Sequence, residues 1–232
     1  IDQGVPWRGN SGADCRNLRV CNIHVVLVVR FVPSIKDELM GALLKYLLAQ
    51  TFYAPANAAR LIAGMKLSSE AGWMALLLAT IFNTVIYFAN MSLVTIPPDF
   101  WLPVIRSPLV YLGLSFSFTA VMVIGLQWVG RVQGGTSSLS LVAVLVAWLL
   151  TVQCLADVVF LLLLVFLPTV AGLFSMAAGL YGLWILLNFI QVAHGFARKG
   201  KAVVTIFLAL IGVMMGLTLC LSVIGVSAIG IS

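Results

Sequence analysis

The chain has 232 residues, of which 62% are hydrophobic and only 9% are charged, and this composition excludes an ordinary soluble domain. Its apolar runs reach the ~20 residues that a helix needs to cross a bilayer, and they lack the alternation of barrel strands. The net charge of +6 does not indicate a nucleic-acid partner, because the basic residues gather at helix ends, as membrane topology requires. The sequence therefore predicts an all-α, polytopic integral membrane protein.

Residues 1–35 give little structural signal. They mix charge, glycine and one short apolar run, Val25–Val29, which is too short to span and is flanked unlike a signal peptide. We expect a poorly structured segment. Because Met40 is the first methionine, one hypothesis is that the physiological chain starts near it.

Residues 36–70 are predicted to form amphipathic helices on the cytoplasmic side. From Ile35 to Thr51, leucines recur at helical spacing among charged residues. A second helix begins at Pro55 and carries Arg60 and Lys66. Either both helices lie in the membrane interface, or they pack on the cytoplasmic ends of the spanning helices.

Residues 71–232 are predicted to hold five spanning helices, and Ser68-Ser69-Glu70 is typical of an N-cap for the first. The spans are expected near Trp73–Leu93, Pro108–Val129, Leu141–Leu164, Thr169–Val192 and Val203–Val226.

Orientation follows from the basic residues. Twelve of the 13 Lys and Arg residues fall on one side of the predicted spans, and Arg106 alone falls on the other. The positive-inside rule then places the N-terminus in the cytoplasm and the C-terminus outside, in the periplasm of a bacterium.

Asp157 interrupts the apolar run of the third span near mid-membrane, where an isolated carboxylate costs several kcal/mol or takes up a proton. We expect it to face the bundle interior, mostly protonated, and to donate to a neighbouring oxygen. Polar residues at similar depth would complete an intramembrane polar cluster: Gln153, Asn83, Tyr87, Ser115, Thr119 and Thr218. The cluster is either a proton- or ion-linked site or a polar lock that fixes helix pairing, and we favour the lock.

A second set of polar residues, the polar stripe, ends the fourth span. Asn188, Gln191 and His194 are spaced by three residues, so they share one helical face. The stripe either contacts a partner or lipid headgroups, or it satisfies the helix end and interfacial water, which we favour.

Small residues recur every four positions on the last two spans, which lets helix backbones approach closely. They serve intramolecular packing, the favoured interpretation, or a dimer face. The residues are Ala171, Ser175 and Gly179 on the fourth span, and Gly212, Gly216 and Cys220 on the fifth.

Sequence motifs for enzyme chemistry are not found. The chain has no phosphate-binding glycine loop, no Gly-x-Ser-x-Gly, no His-Glu-x-x-His and no paired carboxylates in the spans. Cys15, Cys21 and His24 do not have zinc-site spacing. We therefore expect no catalytic residue, no metal and no cofactor.

From about Leu43 to the C-terminus, the chain resembles the Yip family of Ypt/Rab-interacting-type membrane proteins, especially its bacterial members. Besides the five spans, four stretches carry the resemblance: Phe52-Tyr53-Ala54-Pro55, Val146-Ala147-Trp148-Leu149, Leu167-Pro168 and Asn188-Phe189-Ile190-Gln191-Val192-Ala193-His194-Gly195-Phe196. The resemblance implies a multi-pass protein of the bacterial inner membrane. Eukaryotic relatives act with small GTPases and carry an Asp-Leu-Tyr-Gly-Pro-like element. The matching Thr51–Pro55 lacks the Asp and the Gly, so a GTPase role does not carry over.

The leading functional hypothesis is a non-enzymatic membrane protein with a scaffolding, assembly or membrane-organising role, acting through helix packing and partner binding. Its partners would be the lipid bilayer and other membrane proteins or further copies of itself, and not nucleic acid. One alternative is a small transporter or channel-like protein that uses the cluster around Asp157. The other is an accessory subunit of a larger membrane complex.

Overall fold

A computed structural model of the chain describes residues 41–93 and 107–229, nearly all of them helical and none in a strand. The first helix, α1, is described over residues 41–53. The others are α2 (Pro55–Gly64), α3 (Ser69–Leu93), α4 (Pro108–Val132), α5 (Leu139–Phe166), α6 (Pro168–His194) and α7 (Lys199–Ile229). The described residues from Leu47 onward form one compact unit, which contains α2 to α7.

Five helices, α3 to α7, are long and apolar enough to cross a membrane, which confirms the all-α, five-span prediction. The observed helices are longer than the predicted spans because their caps lie outside the apolar runs. Ser68 Oγ accepts a hydrogen bond from the Ala71 N–H at 3.2 Å, as the predicted N-cap requires. Ser138 Oγ accepts likewise from the Leu141 N–H at 3.2 Å, so α5 begins at Leu139.

The predicted segment of residues 1–35 and the predicted orientation marker Arg106 lie outside the described residues.

Helix α5 is the centre of the bundle, where it packs on α3 most extensively and also on α6, α4 and α2. Helices α4 and α7 form a second pair, and α7 also packs on α6. Gly72 permits the α3–α5 contact, because a Cβ at that position would lie 3.2 Å from Val144 Cγ2 and 3.3 Å from the Ser140 carbonyl oxygen. Any larger side chain there would push the two helices apart.

One end of the bundle, called here the basic end, carries Arg131, Arg198, Lys199 and Lys201. The α4–α5 link and the α6–α7 turn meet there. The Thr136 N–H donates to the His194 carbonyl at 3.3 Å. Gln133 Nε2 donates to Thr205 Oγ1 at 2.9 Å, and Lys201 Nζ donates to the Gln133 carbonyl at 3.3 Å. Ser140 Oγ donates to the Leu67 carbonyl at 3.1 Å, so α3 also begins at this end.

Candidate functional site

The junction of α1 and α2 is anchored to the spanning helices by two aromatic side chains. Trp148 Nε1 on α5 donates to Thr51 Oγ1 at 2.9 Å, and Thr51 Oγ1 donates in turn to the Leu47 carbonyl at 2.8 Å. Tyr181 on α6 donates its hydroxyl hydrogen to the Phe52 carbonyl. The rings of Phe52 and Tyr181 also stack, with centroids 6.1 Å apart. The segment that carries the family resemblance is therefore held by specific contacts.

Helix α2 packs against α5 and α6 through small side chains. Ala58 and Ala59 are fully buried, and Ile62 is nearly so. They belong to one apolar cluster with Leu145 on α5 and with Phe189 on α6. Alanine lets the helix axes approach closely, so α2 is packed on the spanning helices along this face.

The intramembrane polar cluster is brought together only in part. Gln153 Nε2 donates to Asp157 Oδ1 at 3.4 Å, along one face of α5. Asp157 is half-buried. Tyr87 on α3 stacks on Tyr111 with centroids 4.2 Å apart. The stacked tyrosines join α3 to α4, whereas the Gln153–Asp157 hydrogen bond stays within α5. Sequence reasoning missed Tyr111, because its depth alone gave no sign that it faces Tyr87.

Two other predicted members of the cluster, Thr119 and Thr218, bond within their own helices. Thr119 Oγ1 donates to the Ser115 carbonyl at 2.8 Å. Thr218 is exposed and donates to the Met215 carbonyl at 2.9 Å. These residues are not gathered around Asp157. Asn83 keeps a buried side-chain nitrogen without a hydrogen-bond partner among the described residues.

Asp157→Ala should lower the free energy of unfolding in detergent by about 1 kcal/mol, the scale of side-chain hydrogen bonds within membranes. Asp157→Asn should change it by less than ~0.5 kcal/mol, because a neutral amide has the size and polarity of a protonated carboxyl. The infrared band of a protonated carboxyl should be present in the native protein and absent from Asp157→Asn. A band that survives in that variant would contradict the protonation prediction.

The polar stripe lies where the sequence placed it, and its side chains bond to the backbone at the end of α6. Asn188 Nδ2 donates to the Trp184 carbonyl at 2.7 Å, and Gln191 Nε2 donates to the Phe196 carbonyl at 3.3 Å. His194 is 1% exposed, and its Nδ1 lies 3.1 Å from the Ile190 carbonyl oxygen. Only Gln191 bonds beyond the end of α6, and His194 Nε2 is buried without a hydrogen-bond partner among the described residues.

Gly130 near the end of α4 and Gly135 in the α4–α5 link make room for the imidazole of His194. A Cβ at Gly130 would overlap the ring, and a Cβ at Gly135 would lie 2.6 Å from its Cδ2. The other face of the ring stacks on Phe196, with centroids 5.2 Å apart and planes at 13°. Gly195 ends α6 in the left-handed conformation, with φ 67°. The sequence marked the histidine but not the glycines, which contact it from a distant part of the chain.

Helices α4 and α7 cross closely and enclose an apolar groove. A Cβ at Gly125 would lie 3.7 Å from Ala209 Cβ and 3.9 Å from Val213 Cγ2, so the crossing is near this glycine. The groove has a volume of ≈ 560 Å³. Gly212 and Gly216 line it, and a Cβ at either would meet no atom within 4 Å.

Of the three small residues on α6, only the first is buried. Ala171 is fully buried and serves packing within the chain, whereas Ser175 and Gly179 are exposed. The side chain of Cys220 on α7 lies outside the described part of the structure. Across residues 41–93 and 107–229, no group of three or more His, Cys, Asp and Glu side chains is placed to hold a metal ion.

Five long apolar helices, packed around α5, define a multi-pass integral membrane protein whose lipid-facing surface contacts the bilayer. The Yip1 domain model matches residues 49–219, from the end of α1 into α7. Because that match covers most of the chain, the protein belongs to the Yip1 domain family, as the sequence resemblance predicted. No curated protein and no solved structure matches the chain.

Proposed function

We propose that this protein is a non-enzymatic scaffold that organises the membrane by associating with a second copy of itself through the groove between α4 and α7. The open faces of Gly212 and Gly216 carry the proposal. Their four-residue spacing is that of a Gly-x-x-x-Gly helix contact, in which missing side chains let two backbones approach and gain van der Waals contact. A patch of this kind fits its own copy across a two-fold axis.

The groove is apolar and faces the lipid-exposed side of the bundle. Leu217 on α7 and Phe118 on α4 are exposed along its rim, 47% and 41% respectively. In lipid, burying such side chains gives no hydrophobic gain, so close packing over glycine has to supply the association energy. This makes the two glycines the positions at which added bulk should act most strongly.

The paired substitution Gly212→Ile with Gly216→Ile should weaken the dimer at least about tenfold, or about 1.4 kcal/mol. Native mass spectrometry after mild-detergent purification from the protein's own membranes measures the monomer and dimer fractions. The matched control is Gly172→Ile on α6, which also has no atom within 4 Å of its Cβ position but lies outside the groove. A native protein that is monomeric, or that appears only with a different partner, would refute self-association.

We also propose that the basic end faces the cytoplasm of a bacterium, so that the N-terminus is cytoplasmic and the C-terminus is periplasmic across the inner membrane. The cations at that end support this through the positive-inside rule. A cysteine introduced at Met65, just after α2, should then react with an impermeant thiol reagent in inside-out vesicles and not in right-side-out ones. The reverse pattern would overturn the orientation.

A further inference from the structure

From Leu47 the chain runs along the bundle away from the basic end. It then turns and returns towards that end at Gly64. Leu67, just after α2, bonds Ser140 at the start of α5. Thr51 bonds Trp148, which lies about 12 Å further along α5 than Ser140 at ~1.5 Å per residue. Phe52 reaches the same cavity as Gln153, about 21 Å from Leu139 and halfway along the 28 residues of α5. The tip of this hairpin therefore lies near the middle of the spanning helices.

Several backbone groups at the tip are paired within the chain. The Ala54 N–H donates to the Gln50 carbonyl at 2.8 Å, and the Ala54 carbonyl accepts from the N–H groups of Asn57 and Ala58. Pro55 has no N–H to satisfy, and the Phe52 carbonyl accepts from Tyr181. In water these groups would need no such partners, whereas in lipid each unsatisfied group costs several kcal/mol. The tip is thus suited to the acyl-chain region.

The hairpin occupies one half of the α5–α6 face only. Towards the basic end, α2 covers that face through Ala58 and Ala59. Beyond Phe52 the same face is an open apolar cavity of ≈ 420 Å³, whose lining reaches Val159 on α5 and Phe174 on α6. Tyr53 at the tip is 89% exposed. In one leaflet the hairpin covers the α5–α6 face. In the other leaflet lipid chains therefore cover it.

We propose that residues 47–64 form a re-entrant helical hairpin, inserted among the acyl chains of the leaflet at the basic end. We propose further that this one-sided insertion makes the protein prefer membranes that are convex on that side. The added volume expands one leaflet relative to the other, which costs least where that leaflet is already stretched. Arg60, bonded to Asn57 Oδ1 at 3.0 Å, extends its long side chain from α2 and can reach the headgroups. The inference does not depend on the α4–α7 contact.

The depth of the hairpin is tested with single cysteines in the full chain, after replacing Cys15, Cys21, Cys154 and Cys220 by alanine. Tyr53→Cys reports the tip, Met65→Cys the basic end, and Leu155→Cys the interior of a spanning helix. A fluorophore on Tyr53→Cys should be quenched by chain-labelled lipid as strongly as one on Leu155→Cys. Met65→Cys should react with an impermeant thiol reagent, whereas Tyr53→Cys should not. Equal reactivity at the two positions would overturn the hairpin.

The curvature preference is tested in single vesicles of mixed diameter made from phosphatidylcholine and phosphatidylglycerol. Impermeant labelling of Met65→Cys after reconstitution counts only molecules whose basic end faces outward. Their surface density should rise as vesicle diameter falls, and inward-facing molecules, labelled after permeabilisation, should show the opposite trend. A density independent of diameter in both orientations would overturn the curvature preference.

Discussion

Replacing Gly130 with alanine should destabilise the protein by about 2–3 kcal/mol, as expected for overpacking of a closed site. The new methyl group would overlap the His194 ring. The ring has little freedom to move, because Phe196 stacks on its other face and Gly135 approaches its edge. A shift of His194 would also disturb the hydrogen bond from the Thr136 N–H to the His194 carbonyl. That bond joins the α4–α5 link to the end of α6. Unfolding in detergent, followed by circular dichroism, measures the loss.

A double-mutant cycle separates this clash from a general effect of alanine. Combining Gly130→Ala with His194→Ala should cost less than the sum of the two single changes, with a coupling energy of about 1–2 kcal/mol, because the methyl group enters the space that the imidazole leaves. Gly113→Ala is the control on the same helix: its Cβ position has no atom within 4 Å. That variant should be as stable as the native protein or slightly more so. If the losses of unfolding free energy in the two single variants simply add in the double variant, the His194 ring does not obstruct the added methyl group.

Phe189→Ala should lower the free energy of unfolding by about 3–5 kcal/mol, the usual cost of a cavity left by a buried aromatic ring. Phe189 is fully buried, and its cluster includes Ala58 and Ala59 of α2 together with Val144 of α5. The loss should appear first in α2, which is short and relies on this contact. Hydrogen exchange should therefore accelerate across Pro55–Gly64 before it does so in α5.

Leu180→Ala provides the comparison on the same helix. Leu180 is 70% exposed on the lipid-facing side, so its truncation leaves no internal cavity. We expect a change of no more than ~0.5 kcal/mol and unaltered exchange in α2. A similar loss in both variants would mean that Phe189 does not hold α2 in place.

The number and approximate positions of the spans were predictable because the bilayer imposes length and apolarity directly on the sequence. The cap at Ser68 was predictable for a similar reason, since it depends on neighbouring residues alone. The rotation of each helix about its axis was not predictable. Helices such as α5 are apolar on all sides, so periodicity does not mark the face that packs against a neighbour.

In the candidate site, too, local features were predictable and contacts between helices were not. His194 and Asp157 stood out as polar residues in apolar surroundings. Gly130, which contacts His194, comes from another helix and is an ordinary residue in its own sequence context. Likewise, the resemblance singled out Phe52, but nothing local predicted that Tyr181 would bond its carbonyl. Such contacts arise from tertiary packing, which a single sequence does not encode in any local pattern.

Only Leu167 separates α5 from α6. A one-residue turn ties the positions of the two helices together. The first helix therefore cannot span the membrane while the second is still in water. The two must therefore leave the insertion machinery as a single helical pair. The penalty for placing Asp157 at mid-bilayer, about 2.5–3.5 kcal/mol on the insertion scale, is then met by the combined apolar length of both helices. The turn that ends α5 thereby makes its aspartate tolerable during biogenesis.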